Sequence, residues 1–130
     1  MRTFSILLVD ADRKNHEILR KALRKEGRLI LSAYSNEEAA KLTSERLLDM
    51  IVLDYGSSKQ GDSDFMKNKL NKHDKRNIPV FMFSSSNSFQ TKLSSYLSGA
   101  IRYFSIPVEF EDFLIAIEKF ELKKAKGATA

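Results

Sequence analysis

Residues 4–12 read FSILLVDAD, six residues that are apolar at nearly every position, followed at once by two aspartates around an alanine. A run without polar alternation is typical of a parallel strand that is covered by other structure on both faces. An aspartate just beyond such a strand can cap the helix that follows it. The stretch therefore predicts a buried strand, then a helix, with acidic side chains between them.

Runs of the same kind recur along the 130 residues, at 50–53, 80–83 and 101–104, with a weaker run at 29–34. Amphipathic segments of helical length separate these runs. Strands that alternate with helices call for one parallel sheet with right-handed crossovers and helices on both faces. We therefore predict a single α/β domain, a three-layer sandwich of five strand–helix units.

The ends of the predicted helices carry recognisable residues. Asp12 is placed to cap the first helix, and Gly27 can supply the left-handed residue that stops it. Ser35 followed by Glu38 forms a capping box for the second helix. The other helices are predicted to begin near residue 62, to run from 88 to 97, and to run from 110 to 122. The charged tail, residues 123–130, is expected to fray.

Composition excludes several classes of protein. Hydrophobic residues make up 42% and charged residues 30%, which is typical of a globular domain. No apolar run approaches the roughly 20 residues that span a bilayer, so we expect no membrane contact. The chain has no cysteine, which excludes disulfides and thiolate metal sites and agrees with a cytoplasmic location. The net charge of +5 invites a nucleic-acid interpretation, but the basic residues of the first helix alternate with apolar ones at helical spacing, so no direct nucleic-acid contact is expected.

Polar side chains follow the predicted strands: Asp10 and Asp12 after the first, Asp54 after the third, and Ser84 after the fourth. The carboxyl ends of parallel strands form one edge of the sheet, where open α/β sheets bind ligands. Two carboxylates that meet there repel each other unless a hard cation such as Mg²⁺ bridges them. The alternative is structural: Asp10 and Asp12 cap the first helix, and Asp54 begins a loop.

At these residues the chain resembles the response-regulator receiver family of two-component signalling, over about residues 4–122. The family pattern is an acidic pair after the first strand, a phospho-accepting Asp after the third, Ser or Thr after the fourth, and Lys-Pro after the fifth. The matching segments are ILLVD (6–10), IVLD (51–54), PVFMFS (79–84) and GAIRYFSIP (99–107). The resemblance implies a flavodoxin-like fold with strand order 2-1-3-4-5, with residues 1–122 as the receiver-like domain.

The resemblance also implies a role for each site residue. Asp54 is the implied phosphoacceptor, and Ser84 the hydroxyl that contacts a phosphoryl oxygen. Asp10 and Asp54, with the backbone carbonyl of Gly56, are the implied Mg²⁺ ligands. Tyr103 matches the aromatic residue that changes rotamer when the loop around Ser84 moves. A protein of this kind is a signalling domain in a phosphorelay rather than an enzyme.

Two positions depart from the family pattern at the site. The second acidic residue is Ala11, and Asp12, one position later, is a weaker metal candidate because its side chain points elsewhere. The lysine before the fifth-strand proline is replaced by Ile106. Two hypotheses therefore stay open: a working receiver that is phosphorylated on Asp54, or a phosphorylation-independent pseudo-receiver that acts as a protein-binding module.

The implied partners are a histidine kinase or phosphotransfer protein and an output protein or a second copy of the chain. The output surface is expected on the predicted fourth helix, fifth strand and fifth helix. Its candidate contact residues are aromatic or apolar: Phe89, Leu93, Tyr96, Tyr103 and Phe110.

Other site patterns are incomplete. The Asp-x-Asp of residues 10–12 also occurs in haloacid-dehalogenase-like phosphatases, but their downstream acidic pair is not evident here. A flavin phosphate would be repelled by the same acidic loop. His16 and His73 are expected at the surface.

Overall fold

The apolar runs form one five-stranded sheet with helices around it. The computed structural model describes residues 3–55 and 77–129, with side chains to residue 127. The strands lie within one residue of their predicted limits: β1 (Phe4–Val9), β2 (Arg28–Ala33), β3 (Met50–Asp54), β4 (Val80–Ser84) and β5 (Arg102–Ser105). The helices are α1 (Arg13–Leu23), α2 (Asn36–Glu45), α3 (Phe89–Leu97) and α4 (Phe110–Thr129). The helix predicted to begin near residue 62 lies outside the described residues.

The sheet has the order β2-β1-β3-β4-β5, and all neighbouring strands are parallel. This confirms the predicted α/β class and strand order. Val9 of β1 pairs with Leu53 of β3, and Ser84 of β4 pairs with Ser105 of β5. The carboxyl ends of these four strands are therefore level with one another at one edge of the sheet.

The strands are apolar at successive positions because both faces of the sheet are covered. Side chains alternate between the faces, so each strand supplies two separate cores. One core holds Leu7, Val9, Ile51 and Leu53 with Ala39 of α2. The other holds Ile6, Leu8, Met50 and Val52 with Leu19 and Leu23 of α1 and Phe113 and Ile117 of α4. The sheet is thus the middle layer of the predicted sandwich.

The helix starts follow the predicted capping residues. Asp12 caps α1 by accepting the N–H of Asn15 at 3.1 Å, and Ser35 caps α2 by accepting the N–H of Glu38 at 3.1 Å. The predicted end of α1 was wrong, because the helix stops at Leu23 rather than at Gly27. Gly27 does adopt a positive φ of 84°, but in the turn before β2, where its carbonyl accepts the N–H of Phe4 at 2.8 Å.

The carboxyl-terminal helix is longer than predicted. We expected residues 123–130 to fray, but α4 continues to Thr129 over 20 residues. The Nζ of Lys124 lies 2.9 Å from Oδ1 of Asp49, whose Oδ2 accepts the N–H of Ser5 at 2.8 Å. This ion pair ties the last turns of α4 to the amino-terminal edge of the sheet. Neither α4 nor any other helix in the described ranges is long and apolar enough to cross a membrane.

Candidate functional site

The strand ends that the sequence predicted to meet do form one cleft. Asp10 and Asp54 directly follow the paired residues Val9 and Leu53, so they stand side by side at the sheet edge. The cleft has a volume of about 390 Å³. Its lining residues come from β3, β4, α1 and the segments after β1, β4 and β5: Asp12, Asn15, Asp54, Phe83, Ser84, Ser85 and Ile106. The fold therefore brings the predicted phosphoacceptor and the predicted hydroxyl together.

Asp10 is fully buried, and the protein itself satisfies its carboxylate. Oδ1 accepts the N–H of Asp12 at 3.0 Å, and Oδ2 accepts the side-chain amide of Asn15 at 2.7 Å. Hydrogen bonds of this kind compensate a carboxylate for the loss of its hydration. The structural interpretation of Asp10, as part of the turn that starts α1, is therefore partly correct.

Asp12 lies in the cleft and serves as the cap of α1. Ala11, between the two aspartates, is exposed to solvent and offers no ligand. The three residues after β1 therefore supply the buried carboxylate of Asp10, the methyl group of Ala11 and the capping carboxylate of Asp12.

Asp54 ends β3 half-buried, with its side chain in the cleft. The next residue, Tyr55, donates its N–H to the carbonyl of Phe83 at 2.8 Å, which keeps the strand end paired to β4. The pairing of Leu53 with Val9 and of Asp54 with Phe83 sets the direction of β3 at its end. Gly56, predicted to offer its carbonyl to a metal, lies outside the described residues.

Ser84 and Tyr103 form a buried hydrogen-bonded network beside the cleft. The Tyr103 hydroxyl donates to the carbonyl of Ser86 and lies 2.6 Å from Oγ of Ser84. Because the single Tyr103 proton goes to Ser86, Ser84 is the donor of the bond to Tyr103. Oγ of Ser84 in turn accepts the N–H of Ser86 at 3.0 Å. The only proton of the Ser84 hydroxyl is therefore committed to Tyr103.

Burial is the largest cause that raises the pKa of Tyr103 above its ordinary value of 10.0. The negative charges of Glu109 and Asp54 raise the pKa further, while the hydrogen bond from Ser84 lowers it. The Tyr103 side chain is not a half-buried strand aromatic with its hydroxyl in water, because only 5% of the residue is exposed.

Ile106 lines the cleft where the family pattern has lysine. Its N–H donates to the carbonyl of Ser84 at 2.8 Å, and its side chain packs against the core beneath α1 and α4. The lining residues that the structure describes include two aspartates and neither lysine nor arginine. The described part of the cleft thus offers hydroxyl groups to an anionic group but no cationic side chain.

Asn15 and His16 are site residues that the sequence reasoning missed. The Asn15 amide contacts Asp10 because the third residue of a helix points back toward its cap. His16, expected at the surface, is fully buried, and its Nδ1–H donates to the carbonyl of Asp10 at 3.1 Å. The centroid of its ring lies 4.3 Å from the centroid of the Tyr34 ring. The spacing of residues 16, 19 and 23 could have predicted the burial of His16, because these positions form one stripe of a helix.

The described residues do not complete a magnesium site. Mg²⁺ demands near-octahedral oxygen coordination. Within residues 3–55 and 77–129 no group of three acidic, histidine or cysteine side chains is placed to hold a metal ion. Asp10 is already hydrogen-bonded through both oxygens, and Ala11 supplies nothing.

The predicted output surface differs in composition from the aromatic cluster that we expected. Phe89, Leu93 and Tyr96 of α3 are exposed, but Tyr103 is buried and Phe110 packs against the core. Between α3, β5 and α4 lies a groove of about 270 Å³ with charges of both signs: Lys92, Arg102 and Lys119 with Glu109 and Asp112. The Tyr96 hydroxyl accepts the N–H of Tyr103 at 3.2 Å, so the groove adjoins the Ser84 network.

Comparison with known proteins identifies relatives of this arrangement. A family model described as the response regulator receiver domain matches residues 6–118. The transcriptional regulatory protein YvrH of Bacillus subtilis is 34% identical over 108 residues, which cover 82% of this chain and 44% of that protein. The transcriptional regulatory protein ZraR of Escherichia coli O157:H7 is 28% identical over 88% of this chain and 25% of its own length. The chain thus spans half or less of these relatives.

Solved structures share the fold at lower identity. A two-component response regulator from Clostridium difficile superposes with a TM-score of 0.78 at 24% identity, over 94% of this chain and 98% of that one. The response regulator protein TrrA from Thermotoga maritima, solved in complex with Mg²⁺-BeF, gives a TM-score of 0.70 at 22% identity, over 91% and 99% of the two chains.

Proposed function

Because this chain belongs to the response regulator receiver domain family of two-component systems, we propose that Asp54 accepts a phosphoryl group and thereby switches a protein-binding surface. A carboxylate oxygen of Asp54 attacks phosphorus, a new O–P bond forms, and the bond from phosphorus to the donor breaks. The leaving group departs with the electron pair of that bond. The position of Asp54 in an open cleft supports this role.

The observation that carries the proposal is the single proton of Ser84. Ser84 donates this proton to the Tyr103 hydroxyl oxygen, which lies 2.6 Å from Oγ of Ser84. A phosphoryl group on Asp54 brings acceptor oxygens into the cleft that Ser84 also lines, and charged acceptors bind hydroxyl donors more strongly than neutral ones. Ser84 would turn its proton to the phosphoryl group, and Tyr103 would lose a partner. Phosphorylation of Asp54 would thus change the contacts of Tyr103. Because the N–H of Tyr103 donates to the Tyr96 hydroxyl, the change would also reach α3.

We further propose that the receiver unit extends through the end of α4 at Thr129 and acts in the cytoplasm. A histidine kinase or phosphotransfer protein would supply the phosphoryl group. An output protein or a second copy of the chain would bind the groove between α3, β5 and α4. The mixed charges of that groove favour a partner with complementary charges over a purely apolar one.

The test is incubation with a small acyl phosphate and Mg²⁺, followed by intact-mass measurement. Wild type should gain one phosphoryl group, and Asp54→Asn should gain none, because an amide is not a nucleophile toward phosphorus. In Ser84→Ala the phosphoryl group should still appear, but the donor-induced amide shifts in α3 should vanish. Labelling of Asp54→Asn equal to that of wild type would contradict the assignment of Asp54.

The second candidate function is a phosphorylation-independent pseudo-receiver that binds a protein partner. Ile106 in the cleft and the internally satisfied Asp10 favour it, since both remove polar groups that would otherwise meet a phosphoryl group or its cation. In that case no donor would label the wild type, with or without Mg²⁺. Partner binding by Asp54→Asn would then equal that of wild type.

Magnesium should bind weakly, with Asp10 and Asp54 as the carboxylates, and Ala11→Asp should tighten its binding about tenfold, or about 1.4 kcal/mol. Ala11 is exposed, so the added carboxylate meets no steric barrier. The measurement is an NMR titration with Mg²⁺, followed at the amides of β3. Asn87→Asp, which adds the same charge at an exposed position after β4, is the control and should change little. Equal affinity in Ala11→Asp and wild type would show that Ala11 is not what weakens the site.

A further inference from the structure

We infer that the side-chain amide of Asn15 occupies the place of a cation at Asp10, so that Asn15 holds the acidic site in a metal-free state. The inference rests on the proposed receiver site but not on phosphoryl transfer. It assigns to Asn15 the control of metal affinity at that site.

The need for a positive partner at Asp10 follows from burial. Asp10 has no exposed surface, and an ionised carboxylate withdrawn from water requires a cation or hydrogen-bond donors. The structure supplies two donors, the N–H of Asp12 and the amide of Asn15. The first belongs to the main chain of the turn and cannot leave without unwinding it. The second is a side chain, and it is the donor that a cation could replace.

The position of Asn15 is fixed at two points. Its backbone N–H donates to Oδ1 of Asp12 at 3.1 Å, and its Nδ2 donates to Oδ2 of Asp10 at 2.7 Å. The amide must present nitrogen to Asp10, because the reverse orientation would set the amide oxygen against a carboxylate oxygen at hydrogen-bond distance. Asn15 also lines the cleft with Asp54, so the contact stands at the entrance that a metal would use.

The amide hydrogen of Asn15 already lies on Oδ2 of Asp10, and its partial positive charge would repel a cation that used the second lone pair of the same oxygen. Binding of Mg²⁺ through Asp10 should therefore be easier when the bond to Asn15 is absent. Asn15 and Ala11 act in the same direction, because Asn15 occupies an oxygen of the carboxylate that is present and Ala11 stands where the family pattern has a second carboxylate. Removing Asn15 should favour the metal without adding any ligand.

The experiment compares Mg²⁺ titrations of wild type and Asn15→Ala, followed by amide shifts in β3 and by the rise in unfolding temperature with Mg²⁺. Asn15→Ala should bind Mg²⁺ about three- to tenfold more tightly, the factor that one net hydrogen bond is worth. Asn36→Ala is the matched control, because Asn36 is a half-buried asparagine in the first turn of α2. It should leave the affinity unchanged.

Weaker or unchanged Mg²⁺ binding in Asn15→Ala would overturn the inference. Weaker binding would mean that the amide oxygen of Asn15 is itself a ligand. If Asn15→Ala does not fold without metal, Asn15→Ser, whose shorter side chain does not reach Asp10, replaces it with the same expected result. The titrations contain no phosphodonor. If Asp54 does not accept a phosphoryl group, the Mg²⁺ affinities still test the role of Asn15. If Asn15→Ala does not change the Mg²⁺ affinity, the phosphorylation of Asp54 is still tested by its own experiment.

Discussion

Tyr103→Phe should lower the free energy of unfolding by about 1–2 kcal/mol, although it removes a single oxygen atom. The Tyr103 hydroxyl bridges the Ser86 carbonyl and the buried Ser84, and without it both partners lose a hydrogen bond. Urea unfolding at neutral pH measures the change. Tyr34→Phe is the control, since no hydrogen bond to the Tyr34 hydroxyl is found in the described part of the chain and its ring keeps its contact with His16. Its effect should stay within about 0.5 kcal/mol.

The same variant should reveal a pH dependence. The pKa of Tyr103 is raised in the folded state above 10.0, so the neutral phenol is favoured by folding. Its contribution to stability is complete below pH 10 and is lost as the pH rises through the pKa of the folded state. The stability difference between wild type and Tyr103→Phe should therefore be constant up to about pH 10 and shrink above it. A constant difference at all alkaline pH values would contradict the buried, hydrogen-bonded phenol.

Glu121→Ala should lower the free energy of unfolding by about 2–3 kcal/mol, the largest effect that we expect from a single substitution outside the two hydrophobic cores. Glu121 accepts two bonds from Arg28, at 2.9 Å and 3.0 Å, and only 7% of the Arg28 side chain is exposed. Without Glu121, the hydrogen bond that remains to the buried guanidinium within the described residues is the one to the Leu23 carbonyl. Since Arg28 starts β2 and Glu121 lies on α4, the pair joins one edge strand to the last helix.

Glu118→Ala provides a matched control on the same helix. Glu118 also pairs with a cation, Lys25, at 3.4 Å, but 56% of its side chain is exposed. Solvent screens such a pair, so its loss should cost less than about 0.5 kcal/mol. Thermal or urea unfolding of the two variants gives the comparison. Equal losses would mean that burial of Arg28 does not strengthen its ion pair.

Local sequence patterns predicted the fold because they report burial directly. A strand covered on both faces must be apolar at nearly all successive positions, as β1, β3 and β4 are. Each of these runs can be recognised from its own residues, without knowledge of the strands that pair with it. The caps Asp12 and Ser35 are equally local, since each bonds an N–H three residues away. The extension of α4 was missed because its anchor is not local: Lys124 is held by Asp49, which directly precedes β3.

Which residues reach the carboxyl edge of the sheet follows from the order of the amino acids: Asp10, Asp54 and Ser84, with Ala11 and Ile106 where the family pattern has charged groups. Parallel strands of similar length end level with one another, so these residues meet at one edge. What each side chain contacts there depends on how the strands and helices pack. The packing places donors of Asp12 and Asn15 at the two oxygens of Asp10. It buries His16 beside them, and it brings Ser84 within hydrogen-bond distance of Tyr103, to which Ser84 donates its proton. A carboxylate or hydroxyl in a sequence has several lone pairs or rotamers open to it, and only the surrounding donors and acceptors, brought in from other strands and helices, select one of them.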